Sequence, residues 1–151
     1  PTIKKLYQQN HPMFVVGSGN AKILESFGIP KGNIIERNWW ESYQHNNIKI
    51  HFVPAQHHSG RGLFDRKQQL WGAFLIESNW GNIFFAGDTG YGRHFNLIKE
   101  KYGAPNLSFL PIGAYKPRWF MNKQHMNPDD AVKAHLDLRS DKSIAIHFST
   151  F

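Results

Sequence analysis

The sequence predicts an α/β domain in which helices pack on a core made mainly of strands, and three observations lead to this class. Apolar residues recur at helical spacing in segments 2–9, 21–27 and 95–102, and a strong helix start lies at residue 127. Short apolar or alternating segments typical of strands lie between these helices. The predicted order is α-β-α-β, then two or three strands, then α-β-α-β, which is typical of helices covering a sheet.

Length and composition indicate one ordinary folded domain spanning residues 1–151. The chain is 40% hydrophobic and 15% aromatic, so intrinsic disorder is excluded. It has no apolar run near the roughly 20 residues that a membrane-spanning helix requires. The N-terminus shows no signal peptide, and it lacks an initiator Met. We therefore expect a cytoplasmic protein or one peripheral to a membrane.

The individual strands follow from local patterns. Segment 47–53 alternates, so Ile48, Ile50 and Phe52 are predicted on one face and Lys49 and His51 on the other. Segments 69–78 and 83–86 form a predicted hairpin around a turn at residues 79–82. Two long polar loops, 55–68 and 113–126, are rich in His, aromatic and basic residues. Loops of that length in a compact domain are often functional.

Three polar residues follow predicted strands at the points where those strands end. They are His57, Asp88 and His147. Side chains that follow several strands can meet at one edge of a sheet, where α/β proteins build their active sites. The sequence contains no cysteine and nine histidines, so a transition-metal site would need His and carboxylate ligands, which suit zinc, iron or manganese. Alternatively, Asp88 accepts backbone N–H bonds in its turn or caps a helix, and each histidine is structural.

The net charge of +7 favours anionic partners such as phosphate compounds, anionic lipid headgroups or nucleic acid. The basic residues are scattered along the chain, without a Lys/Arg-rich block. A solvated basic surface is therefore at least as good an explanation of this charge as specific nucleic-acid binding.

Five separate blocks carry a resemblance to a known family. They are 84–90 (FFAGDTG), 110–115 (LPIGAY), 117–121 (PRWFM), 125–128 (HMNP) and 145–151 (AIHFSTF). In this order they resemble the metallo-β-lactamase superfamily, and more narrowly its N-acyl-phosphatidylethanolamine-hydrolysing phospholipase D branch. The resemblance covers most of residues 47–151. It implies an αββα sandwich fold and a hydrolase with two metal ions, expected to be zinc, with iron or manganese as alternatives.

The same resemblance implies roles for the residues at the strand ends. His57 would bind the first metal, His147 the second, and Asp88 would bridge the pair and take part in catalysis. His58 falls where the family often has an aromatic residue and is expected in the pocket wall. In the intact enzyme a hydroxide held by both metals would attack a phosphodiester, with N-acyl-phosphatidylethanolamine as the implied substrate.

The loop 113–126 holds the remaining candidate site residues. His125 is either a surface or capping residue or, by the resemblance, a pocket residue that contacts phosphate or donates a proton. Arg118 could bind a phosphate or equally form a salt bridge with a carboxylate. Tyr115 flanks the same loop and is a substrate-binding candidate, while Trp119 could line an acyl pocket or simply be packed. The other histidines at positions 11, 45, 51, 94 and 135 are interpreted as surface or structural residues.

One family feature is absent from this sequence. The signature His-x-His-x-Asp-His, which supplies other metal ligands, does not occur. The chain is therefore expected to be the C-terminal half of the domain, whose missing N-terminal half would be its partner. Alone it is expected to be inactive, to bind metal poorly, and to expose an apolar face that could drive homo-oligomer formation.

Two other functions remain open at the sequence level. The first is hydrolysis of lactones or other esters by the same fold, since this superfamily hosts many hydrolases. The second is a non-catalytic basic half-domain that acts in assembly or nucleic-acid binding. Segment 117–121 favours the phospholipase D branch over the lactonases.

Overall fold

The computed structural model describes residues 2–58 and 69–149, so the predicted loop 55–68 lies largely outside the described residues. Within the described residues, five α-helices, a short 3-10 helix (Lys31–Asn33) and eight strands follow one another. The helices are α1 (Thr2–Asn10), α2 (Ala21–Ser26), α3 (His94–Tyr102), α4 (Arg118–Met121) and α5 (Pro128–Leu138). The strands are β1 (Phe14–Gly17), β2 (Ile34–Arg37), β3 (Ser42–His45), β4 (Ile48–Val53), β5 (Ala73–Ser78), β6 (Gly81–Phe85), β7 (Leu107–Pro111) and β8 (Lys142–Ile146).

The strands form two sheets. Strands β1 and β2 pair in parallel, and the other six form a mixed sheet in the order β3-β4-β5-β6-β7-β8. Pairing is antiparallel from β3 to β6 and parallel from β6 to β8. The predicted α/β class and element order are confirmed, with the addition of β3 and of the short helix α4 inside the loop 113–126. Strand β5 begins at Ala73 rather than at residue 69.

Helices α3 and α5 cover one face of the large sheet and form the main core. Leu75, Phe84 and Leu110 point from the sheet into this core, and Phe95 and Leu138 meet them from the two helices. Helix α5 begins as its sequence predicts. The Asn127 side chain accepts a hydrogen bond from the Asp130 N–H at 2.8 Å, and Pro128 follows the cap. This stabilised helix start lies two residues after His125.

The opposite face of the large sheet is apolar and partly open. Strand β4 places Ile50 and His51 on opposite faces, as predicted, but burial follows position along the strand: Ile48 and Lys49 at its start are exposed, whereas His51 and Phe52 near its end are 4% and 2% exposed. His51 contacts Glu77 at 3.0 Å and packs on the Tyr102 ring, which agrees with its structural interpretation. Phe85 and Ile83 lie on the open face.

No helix among the described residues is long and apolar enough to cross a membrane.

Candidate metal centre

The candidate site lies at one edge of the large sheet. Strands β4, β6, β7 and β8 all run in the same direction, because β4 and β6 are each antiparallel to β5 and the other pairs are parallel. Their carboxyl ends therefore meet at the same edge, where α/β folds place their sites. His57 follows β4, Asp88 follows β6, and His147 follows β8. The loop between β7 and α5 brings His125 to the same place.

The side chains of these residues converge. One potential ligand atom from each of His57, Asp88 and His125 lies within 4.8 Å of the other two. His147 Nε2 lies 3.5 Å from Asp88 Oδ1. The His125 ring stands edge-on to His57 at 5.3 Å and lies nearly parallel to His147 at 5.6 Å. Three imidazoles thus surround one carboxylate.

A backbone contact fixes the tautomer of His57. Its Nδ1 lies 2.8 Å from the carbonyl oxygen of His58, and since a carbonyl can only accept, Nδ1 carries the hydrogen and donates it. The lone pair of the neutral ring is therefore on Nε2. This buried nitrogen has no hydrogen-bond partner in the part of the chain that the structure describes. A histidine oriented by Nδ1–H donation to a carbonyl is the usual arrangement of a metal-binding imidazole.

His125 is the most deeply buried member of the cluster, with 9% of its surface exposed. Burial lowers the pKa of His125, the Asp88 carboxylate opposes this shift, and the neighbouring imidazoles lower the pKa further. The neutral ring is therefore favoured near neutral pH. Its Nδ1 is buried and has no hydrogen-bond partner within residues 2–58 and 69–149. A neutral imidazole with a free lone pair can bind a metal or accept a proton.

The backbone turns sharply at the end of β6, just before Asp88, and again at the end of β8, at His147 itself. Gly87 has φ +61°, which glycine adopts without strain, and this turn directs Asp88 away from the line of β6. His147 has φ +56°, a left-handed conformation that is uncommon outside glycine. Such residues cluster at functional sites, where the surrounding structure holds them in place.

These observations fit a metal ion. A buried imidazole nitrogen without a hydrogen-bond partner costs free energy. Among the described residues, His57 and His125 each have one such nitrogen, and both residues offer a ligand atom close to one of Asp88. Imidazole nitrogen and carboxylate oxygen are ligands of zinc and of iron or manganese. His57, Asp88 and His147 would hold such ions, with His125 beside them.

The other predicted site residues occupy different positions. Arg118 forms an ion pair with the buried carboxylate of Asp130 and donates from Nη1 to the carbonyl oxygen of His125 at 3.0 Å. Of its two predicted roles, the structure therefore contains the salt bridge. His58 stacks on the His57 ring at 5.1 Å.

Tyr115 and Trp119 differ in exposure. Tyr115 is half-buried and lies beneath the Lys116 ammonium at 6.0 Å. Trp119 is 81% exposed and contacts Phe120, so in this structure it extends into solvent rather than lining the cluster. The contacts of Tyr115 with Lys116 and of Trp119 with Phe120 do not involve the three imidazoles.

Sequence reasoning missed the residues that join the site loops to one another. Gln56 and Thr89 are each adjacent to a candidate ligand, and the Gln56 N–H donates to Thr89 Oγ1 at 2.9 Å. It also missed that His125 lies within ligand distance of His57 and Asp88. The loop 113–126 has no periodic pattern from which this position could be inferred. For His125 the family resemblance had implied a pocket residue, though not a position within ligand distance, and for Gln56 and Thr89 the signal was their adjacency to His57 and Asp88.

The chain belongs to the beta-lactamase superfamily domain family, whose model matches residues 1–148. This membership and the mixed sheet with flanking helices confirm the family and fold expected from the sequence. A solved structure of similar fold is that of Igni18, a metallo hydrolase from Ignicoccus hospitalis, with a TM-score of 0.77. The two are 22% identical, and the match covers 97% of this chain and 57% of that chain.

Two curated relatives carry the name N-acyl-phosphatidylethanolamine-hydrolyzing phospholipase D. N-acyl-phosphatidylethanolamine-hydrolyzing phospholipase D 1 of Caenorhabditis elegans is 42% identical over 141 residues, or 88% of this chain. The mitochondrial protein of the same description from Saccharomyces cerevisiae is 37% identical over 151 residues, or 95% of this chain. The chain spans 40% and 32% of the lengths of these two relatives.

Proposed function

We propose that the protein is a metal-dependent phosphodiester hydrolase of the N-acyl-phosphatidylethanolamine type. The observation that carries this proposal is the convergence of His57, Asp88 and His125, with ligand atoms within 4.8 Å of one another. The resemblance in segment 117–121 and the names of the curated relatives support the phosphodiester over a lactone. The net charge of +7 would favour approach of an anionic substrate.

Each member of the cluster has a chemical task in this proposal. Bound divalent metal ions would polarise the phosphoryl group and lower the pKa of water. His57, His147 and Asp88, whose carboxylate lies near both imidazoles, would hold these ions. His125, neutral and buried, would accept a proton from the attacking water and return it to the oxygen of the departing N-acylethanolamine. Water adds to phosphorus as the bond to that oxygen breaks, and phosphatidic acid is the other product.

The test combines metal content with product analysis in the intact protein. We expect close to two zinc, iron or manganese ions for each protein chain, by analogy with two-metal hydrolases. His57→Ala and Asp88→Ala should lose metal and release of phosphatidic acid from vesicles that contain N-acyl-phosphatidylethanolamine. His45→Ala, a substitution in the distant strand β3, is the matched control. Metal-loaded protein that cleaves lactones but leaves the phosphodiester intact would favour the alternative hydrolase, and metal-free protein would contradict both.

A further inference from the structure

The loop that carries His57 is joined to the loop that carries Asp88 through a buried hydroxyl. Thr89 is 1% exposed, and its Oγ1 accepts a hydrogen bond from the Gln56 N–H at 2.9 Å. The Gly90 N–H donates to the Gln56 carbonyl oxygen at 2.8 Å. Gln56 and Thr89 immediately neighbour His57 and Asp88 in sequence. The two bonds therefore fix the residues next to both candidate ligands relative to each other.

The Thr89 hydroxyl uses its one donor and both of its acceptor positions in hydrogen bonds. Oγ1 lies 2.9 Å from the Gly90 carbonyl oxygen, to which it donates its only hydrogen. It lies 3.2 Å from His94 Nε2, which can then donate to it, because a hydroxyl oxygen accepts two bonds. His94 is itself buried, with 9% exposure, and it packs on Phe95 in the core. The hydroxyl is thus held from the core side as well as from both loops.

The side chain of Gln56 extends the connection to a third loop. Its Nε2 donates to the Lys123 carbonyl oxygen at 3.1 Å, two residues before His125. Gly90 lies between these groups: a Cβ at this position would stand 2.7 Å from the Lys123 carbonyl oxygen and 2.9 Å from Gln56 Nε2. The loops of His57, Asp88 and His125 therefore meet around Gln56, Thr89 and Gly90.

We propose that Thr89 and Gln56 are positioning residues that set the spacing of the His57 and Asp88 ligand atoms, with His125 held beside them, and thereby the metal affinity of the site. This inference rests on the proposed metal-dependent function. Partners outside the ligand set that orient metal ligands typically contribute about 10- to 100-fold to metal affinity. Thr89 acts from the core side, whereas the exposed Gln56 acts across the outside of the loops.

The main test compares Thr89→Val with Thr89→Ser in the intact protein. Valine has nearly the same shape but no hydroxyl, whereas serine keeps the hydroxyl. With Co²⁺ as the probe, Thr89→Val should weaken binding about 10- to 100-fold and change the visible absorption of the bound ion. Thr89→Ser should restore both affinity and spectrum, which a loss of packing alone would not explain.

Two further variants separate positioning from general stability. Ser140→Ala removes another buried hydroxyl, bonded to Ser108 at 2.6 Å in a different part of the core, and should leave Co²⁺ binding unchanged. Gln56→Ala alters an exposed side chain, so it should fold even where Thr89→Val does not. It keeps both main-chain bonds to the Asp88 loop and removes only the bond to Lys123, so it should change the Co²⁺ spectrum with a smaller loss of affinity than Thr89→Val. Its matched control is Gln44→Ala in β3, where the glutamine Nε2 donates to the carbonyl oxygen of the nearby Asn46.

The outcomes distinguish this inference from the proposed function. Wild-type protein that binds no Co²⁺ and contains no other metal would overturn the proposed function and this inference with it. Wild-type protein that binds Co²⁺, with unchanged affinity and spectrum in Thr89→Val and Gln56→Ala, would overturn the positioning role alone. Should Thr89→Val fail to fold, Gln56→Ala against Gln44→Ala decides the question.

Discussion

At the scale of single residues, His125 has two chemical options, and one substitution separates them. Its buried, neutral ring lies among His57, Asp88 and His147, so it could bind a metal ion or move a proton. We expect His125→Ala to retain its bound metal and to lose about 10²- to 10⁴-fold in turnover, the usual contribution of a general acid or base. Metal analysis and phosphatidic acid release, measured on the same samples, check this. Loss of the metal together with activity would instead make His125 a ligand.

Arg118 connects His125 to helix α5, so its removal is expected to reduce stability. Its partner Asp130 is 6% exposed, and among the described residues Arg118→Ala would leave that carboxylate paired with Lys133 alone, whose Nζ lies 3.6 Å from Oδ1. Because the guanidinium is itself partly exposed, we expect a loss of about 1–3 kcal/mol in urea unfolding. Adding Asp130→Ala should cost less than the sum of the two single changes. Arg93→Ala, at an exposed arginine, is the control, and a strictly additive double variant would argue against the pair.

His94 makes the stability of the domain depend on pH. Burial lowers the pKa of His94 from 6.5 to about 4. Between these values the unfolded chain binds a proton that the folded chain excludes, so the free energy of unfolding falls as pH drops from 6.5 towards 4. The difference reaches about 3 kcal/mol at most. Urea unfolding of the wild type and of His94→Gln from pH 7.5 to 4 should show a smaller decrease for the variant, and equal slopes would contradict this origin.

At the scale of secondary-structure elements, the segments that follow β7 and β8 pass very close to each other at Gly113 and His147. Gly113 follows β7, and a Cβ there would stand 1.8 Å from the His147 carbonyl oxygen. Gly113→Ala must therefore displace the turn that presents His147. We expect a loss of about 1–3 kcal/mol in thermal unfolding, typical of overpacking, together with weaker Co²⁺ binding. Gly32→Ala is the matched control, because its Cβ would meet nothing within 4 Å.

The elements also show what the sequence can and cannot predict. Strand β6 and helix α5 follow from local signals: an apolar run ending at Gly87, and an Asn-Pro helix start at Asn127. Strand β3, with the sequence SYQH, has little apolar content and becomes a strand through its pairing with β4. The strand ends that carry His57, Asp88 and His147 were predictable. The bonds that hold them together depend on the sheet order, which no local pattern contains.

At the scale of the whole molecule, the two faces of the large sheet differ: helices cover one face, and the other is partly open. Alternation in β4 correctly separates His51 from Ile50, but it does not say which face is covered. Helices α3 and α5 pack on the His51 side, where the larger core forms. The other face carries a groove of about 380 Å³ lined entirely by large apolar residues: Met13, Val15, Ile50, Phe74, Ile76, Ile83, Phe85 and Phe109. Its most exposed residues, Phe85 and Ile83, are 44% and 38% exposed.

The open face predicts how the 151-residue chain behaves by itself. Contiguous exposed apolar surface favours association because burying it removes that surface from water. We expect the chain to elute above its monomer mass in light scattering coupled to size-exclusion chromatography, with the apparent mass rising with concentration. Phe85→Gln should shift the population towards monomer, because it places a polar amide at the most exposed position of the groove. Leu97→Gln, at a residue 43% exposed on α3, should not. Equal shifts for both variants would show that general surface polarity, and not this face, controls association.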